Sequence, residues 1–135
     1  MALLDEIGDR LAITDLLHRY AEAIDTGTFD ALGEIFTPDA AIDYSAMGGV
    51  ALAYGEMRLW LEKMIGNVPG RMHMLGNIMI SLNGDSATAT AYLLNAMVFS
   101  PDATTLIGGK YNDTLVRTSD GWRISSRRLD MVWKT

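Results

Sequence analysis

The sequence contains no cysteine. That absence removes disulfides, thiolate metal sites and cysteine nucleophiles together, and it carries no information about redox compartment. Positive charge is scarce: 11 Lys and Arg against 17 Asp and Glu leave a formal net charge of −6, and no basic run exceeds two residues. The electrostatic footprint of a nucleic-acid binder is therefore missing, and acidic or phosphate-rich partners are disfavoured. No stretch approaches the roughly 20 apolar residues of a membrane span. The first ten residues carry Asp5, Glu6 and Asp9 with no basic start ahead of an apolar run, so no signal peptide is expected and a cytoplasmic location is. Histidines number only two, on different elements and without a third ligand at suitable spacing, which argues against zinc or iron. Gly48-Gly49 and Gly108-Gly109 lack the strand-to-helix context of a phosphate loop. No metal and no cofactor are expected.

What is present reads as one domain over residues 1–135, since 135 residues at 49% hydrophobic are enough for one core and too few for two. Ile13, Leu16, Leu17, Tyr20, Ala21 and Ile24 recur at threes and fours, the pattern of an amphipathic helix with Gly27 as its C-cap. A second, short helix is expected from about Phe29 to Phe36, ended by Pro38, and a third from about Gly55 to Ile65. A short strand, Ala40 to Tyr44, lies between them. From Arg71 onward, strand-forming runs are broken by Asn83-Gly84-Asp85, Ser100-Pro101-Asp102 and Asp120-Gly121. The spacing predicts a four-strand meander over about 72–82, 87–99, 105–118 and 122–133. Helices first and a meander afterwards is an α+β order. Strands this long in a small sheet are expected to twist and coil, giving a strongly curved antiparallel sheet that encloses a pocket against three N-terminal helices. Leu93, Leu106 and Val116 are assigned to its convex face, where a homodimer or homotrimer would cover them.

Few polar residues are candidates for chemistry. His73, near the start of the first long strand, shares a face by alternation with Leu75, Asn77, Met79 and Ser81; a core imidazole satisfied by backbone is the ordinary alternative. His18 falls off the apolar stripe and is given no role. Asp25 closes the first helix, where its charge opposes the helix dipole, so something else should hold it there. Tyr20 lies in the buried stripe and needs a hydrogen-bond partner, and Tyr44 ends the short strand facing the same space. Asn112, alternating with Thr114 and Val116, would demand partners if buried. Nine methionines, including Met47, Met72, Met74, Met79 and Met97, suit either core filling or an adaptable wall for an apolar ligand. Met72, Met97 and Trp60 are assigned with Asn112 to substrate binding.

Tyr20-Ala-Glu-Ala-Ile-Asp25-Thr-Gly, Ile42-Asp-Tyr44, Met72-His73-Met74 and Asp120-Gly-Trp122 together resemble the nuclear transport factor 2-like superfamily, SnoaL-like group, over nearly the whole chain. The resemblance implies a cone-shaped α+β barrel. Within the superfamily the sequence is most similar to the lyases, scytalone dehydratase, bile-acid 7α-dehydratase and lindane dehydrochlorinase, which use an Asp/His dyad. Asp25 and His73 match that dyad, Tyr44 a tyrosine of the two dehydratases, Tyr20 the helix tyrosine of the bile-acid enzyme, and Asn112 a pocket asparagine of scytalone dehydratase. The chain departs from scytalone dehydratase in having Ile24 before the aspartate and no histidine after His73, which implies a different substrate. The implied activity is a cofactor-independent, dehydratase-like elimination on a small hydrophobic, cyclic or aromatic molecule. Isomerisation or polyketide cyclisation, which begin with the same proton abstraction, and a non-catalytic binding or assembly module are the alternatives.

Overall fold

The computed structural model describes residues 2–135. Helix α1 (Ala2–Thr26) is followed by a 3-10 turn (Phe29–Glu34), strand β1 (Phe36–Asp43), a second 3-10 turn (Ser45–Met47), β2 (Ala51–Ala53) and helix α2 (Tyr54–Ile65). Four long strands complete the chain: β3 (Gly70–Asn83), β4 (Ser86–Ser100), β5 (Ala103–Thr118) and β6 (Gly121–Lys134). The expected meander is present, each strand pairing antiparallel with the next.

The sheet order is β2-β1-β6-β5-β4-β3, and β1 runs parallel to β6. This corrects the strongly curved, antiparallel, cone-shaped barrel expected from the sequence: the sheet is open and mixed. Closure would need β2 to bond β3, but β2 has three residues and pairs only with β1. The second expected helix is likewise shorter, because Phe36 already begins β1. Pro38 sits inside that strand, at a break in the β1–β6 register between Phe36 and Ala41, where its missing N–H interrupts no ladder bond.

The buried stripe of α1 is the one read from the sequence, with Ile13, Leu16, Leu17, Tyr20, Ala21, Ala23 and Ile24 in the core. Each fully buried Leu or Ile stabilises the packing by about 1.5–3 kcal/mol. The helix also extends eleven residues N-terminal of Ile13, where Leu3, Leu4, Ile7 and Leu11 are exposed. Polar anchors hold this half. Arg10 Nη1 donates to the Ile80 carbonyl at 2.7 Å, and Asp9 accepts two bonds from Arg117 at 2.7 and 2.8 Å and one from the Trp122 indole at 3.0 Å. Those bonds, the Arg117 pair first, hold the Asp9 carboxyl down at about 2 from its ordinary 3.8. Because the folded-state value is depressed, this clamp contributes fully above the ordinary carboxylate range and is lost as pH falls from about 4 through about 2. Acid titration followed by Trp122 fluorescence should show a transition in that window, and Asp9→Asn should remove it; an unchanged titration in the variant would refute the assignment.

A bulge decides which residues of β3 face the helices. The β3–β4 register shifts between Gly76 and Met79, and Asn77 takes a positive φ of 50°. One inserted residue reverses the alternation, so Ile78, Ile80 and Leu82, rather than Met79 and Ser81, continue the inner face begun by His73 and Leu75. Met72, Met74 and Met79 point outward and are exposed. With Tyr92, Leu94, Val132 and Trp133 they make the outer sheet face apolar. Leu93 is not part of it: alternation puts Leu93 in the core.

Candidate active site

The C-terminal end of α1 is fixed by its own chemistry. Gly27, at φ 74°, donates to the Ile24 carbonyl, and Thr28 N–H reaches back to Ala23 at 2.9 Å. This is the paired bonding of a glycine-terminated helix, and a side chain on Gly27 would also press on the Arg71 guanidinium. Arg71, on β3, gathers helix ends: it donates to Ile24 O at 2.8 Å, to Ile65 O at 2.6 Å and to Gly66 O at 3.1 Å. One cation thus satisfies orphan carbonyls of both α1 and α2 and complements both dipoles.

Two residues along the strand from Arg71 stands His73. Its Nδ1 lies 2.6 Å from Asp25 Oδ1, and its backbone N–H donates to Asp25 Oδ2 at 2.8 Å. The second bond exists because β3 is an edge strand, leaving its outer N–H groups free for α1. Burial pushes the Asp25 carboxyl up, but the two bonds from His73 and the Arg71 charge outweigh it, and the group is held below its ordinary value. A carboxylate on Nδ1 places the proton there and leaves Nε2 with its lone pair. The pair is largely shielded, with side-chain exposures of 7% for His73 and 20% for Asp25. This answers why Asp25 tolerates a position that opposes the helix dipole.

A second buried polar cluster surrounds Tyr20. Its hydroxyl and that of Tyr44 are 2.6 Å apart. The Arg127 guanidinium stacks 4.3 Å from the Tyr20 ring centre and 3.9 Å from that of Tyr111, and is held by Asp113 through bonds of 2.7 and 2.8 Å. Burial works against the Arg127 charge, and the Asp113 carboxylate more than restores it, so the group remains a cation. Burial raises the phenols of Tyr20, Tyr44 and Tyr111, which therefore stay neutral donors. Tyr20 and Asp25 are five residues apart on α1, roughly 7.5 Å of rise.

The structure brings Asp25 to His73 and Tyr20 to Tyr44. Met97 lies buried on the same sheet face as His73, two register positions away, since Arg71 opposes Met97 and His73 opposes Asn95. Trp60 is half-buried on α2, its ring edge close to Gly49. Asn112 does not join the site. It occupies the face of β5 opposite to Tyr111 and Asp113 and donates to Asp130 Oδ2 at 3.0 Å. Met72 is excluded by the same alternation on β3. Sequence reasoning passed over Tyr111, Asp113, Arg127 and Asn95. The alternation of Tyr111, Asp113 and Leu115 did carry a signal, a carboxylate on an otherwise apolar face.

The same fold recurs among known proteins. A mycobacterial protein, Rv2910c of Mycobacterium tuberculosis, is 45% identical over 129 residues, covering 94% of this chain and 88% of that one. The crystal structure of Kfla4162 from Kribbella flavida superposes with a TM-score of 0.89 at 26% identity over 96% of this chain and 95% of its own. A hexachlorocyclohexane dehydrochlorinase, LinA-type3 of Novosphingobium barchaimii, shares the fold with a TM-score of 0.83 at 20% identity over 98% and 92%. The SnoaL-like domain model matches residues 5–128, and the chain belongs to that family within the nuclear transport factor 2-like superfamily.

Proposed function

We propose that this protein is a cofactor-independent lyase that eliminates water from a small hydrophobic substrate carrying a carbon acid. The observation that carries the reading is the 2.6 Å contact of Asp25 with His73 Nδ1, which leaves Nε2 as a shielded, oriented base. His73 Nε2 removes the proton from the carbon next to a carbonyl, the electron pair forms the new double bond, and the carbon–oxygen bond to the β-hydroxyl breaks. The departing oxygen takes a proton from the imidazolium, so water leaves and the base is restored. Asp25 fixes the tautomer and stabilises the transient imidazolium. Tyr20 and Tyr44 supply neutral hydrogen bonds to the developing oxyanion. Membership of a fold that also houses a dehydrochlorinase supports elimination as the reaction type.

Incubation with a β-hydroxy ketone such as 4-hydroxy-4-phenylbutan-2-one in deuterated water tests this. Elimination gives the conjugated enone, read by its near-ultraviolet absorbance. Deuterium exchange at the α-carbon without enone would move the reading to an isomerase. Neither signal across a panel of hydrophobic β-hydroxy ketones would refute proton abstraction.

A further inference from the structure

Asn95 opposes His73 directly across the β3–β4 ladder, so the two side chains stand next to each other on the inner face. The residue is 7% exposed, and its Oδ1 has no hydrogen-bond partner among the described residues. Its surroundings are apolar: Met97 on one side along the strand, Leu93 on the other, and Ile107 opposite on β5. A leucine would fill this position at similar volume without leaving an acceptor unsatisfied. An amide there, next to the His73 side chain, is placed to meet a polar group that arrives from outside the protein. The geometry points to Asn95 as a substrate-positioning residue that accepts a hydrogen bond from a substrate hydroxyl and so sets the carbon acid against His73 Nε2.

The inference rests on the proton-abstraction reading and narrows it. An acceptor selects substrates that bring a donor, which an alcohol does and an ether or alkyl halide does not. The ground-state contact persists in the transition state, so its loss should appear in KM rather than kcat.

The test compares 4-hydroxy-4-phenylbutan-2-one with its O-methyl ether on the wild-type protein and on Asn95→Leu. The readouts are calorimetric dissociation constants for both probes, and KM and kcat for any probe that is turned over. Wild type should prefer the alcohol by about tenfold, the worth of one buried hydrogen bond, and Asn95→Leu should bind the two within about twofold. If the alcohol reacts, the variant's KM should rise about tenfold with kcat nearly unchanged. The thermal midpoint should hold or rise, because the variant removes an unpaired polar group from the core. A fall in midpoint would mark Asn95 as structural and overturn the proposal, as would equal or absent binding of the two probes by wild type. Should Asn95→Leu fail to fold, Asn95→Ala serves with the same expectations for probe preference. Alcohol preference without turnover refutes the lyase and leaves the assignment of Asn95 standing. Turnover without preference does the reverse.

Discussion

Asp25→Asn should yield a folded protein whose turnover is lower by on the order of 10³- to 10⁴-fold. The asparagine is nearly isosteric, and its carbonyl can still accept the His73 backbone N–H that Asp25 Oδ2 accepts at 2.8 Å. Its NH₂ must then face Nδ1, which can accept only if the ring proton moves to Nε2. The base is thereby already protonated on the nitrogen that should take the proton from carbon. His73→Ala should lose activity to the same extent, and the double variant should be no worse than either single one, because the two residues act as a unit. The checks are initial rates of enone formation, circular dichroism for the fold, and ring-nitrogen chemical shifts of His73, which should report the exchanged tautomer in Asp25→Asn. An Asp25→Asn protein retaining a tenth of wild-type activity would show that the carboxylate is a structural clasp between α1 and β3.

Asp25 and His73 were each visible in the sequence for local reasons, and their pairing only through the family resemblance. Asp25 stood out because a carboxylate at a helix C-terminus is unfavourable without a partner, and His73 because it is one of two histidines and lies near the start of a strand. Their distance depended on β3 being an edge, which no local pattern reveals. The same limit explains the misplacement of Met79 and Ser81: a bulge centred on an asparagine, not a glycine, left no mark in the alternation. Asn112 was assigned by resemblance, and a parity of one residue put it on the outer face. The helical half of α1 before Ile13 was invisible to a search for buried stripes, since Asp9 and Arg10 hold it through bonds to residues over 65 positions away. The open sheet was missed because three antiparallel hairpins can be read from turns, whereas the parallel docking of β1 on β6 joins segments without any connecting signature.

The largest stability effect is expected at Arg127, which no such signature singles out. Its side chain is wholly buried and that of Asp113 nearly so, and the two share the bonds of 2.7 and 2.8 Å. Replacing Arg127 by Met leaves the Asp113 carboxylate in the core without a counter-charge, at a cost of about 3–5 kcal/mol. Replacing Asp113 by Leu strands the guanidinium and should cost a similar amount. The double variant Arg127→Met/Asp113→Leu removes both charges together and should recover most of the loss, since two buried apolar side chains avoid the desolvation that the ion pair must overcome. Denaturant unfolding of the four proteins measures this as a coupling energy, and equal losses that simply add would refute a shared buried pair. The double variant also separates stability from function. The guanidinium lies against the rings of Tyr20 and Tyr111, and Tyr20 holds Tyr44 at 2.6 Å, so the cation sets where the two phenols stand. If those phenols serve the oxyanion, the refolded double variant should bind substrate with little change in KM yet show a lowered kcat. A stable double variant with wild-type kcat would assign the whole cluster to the core and leave catalysis to the Asp25–His73 pair alone.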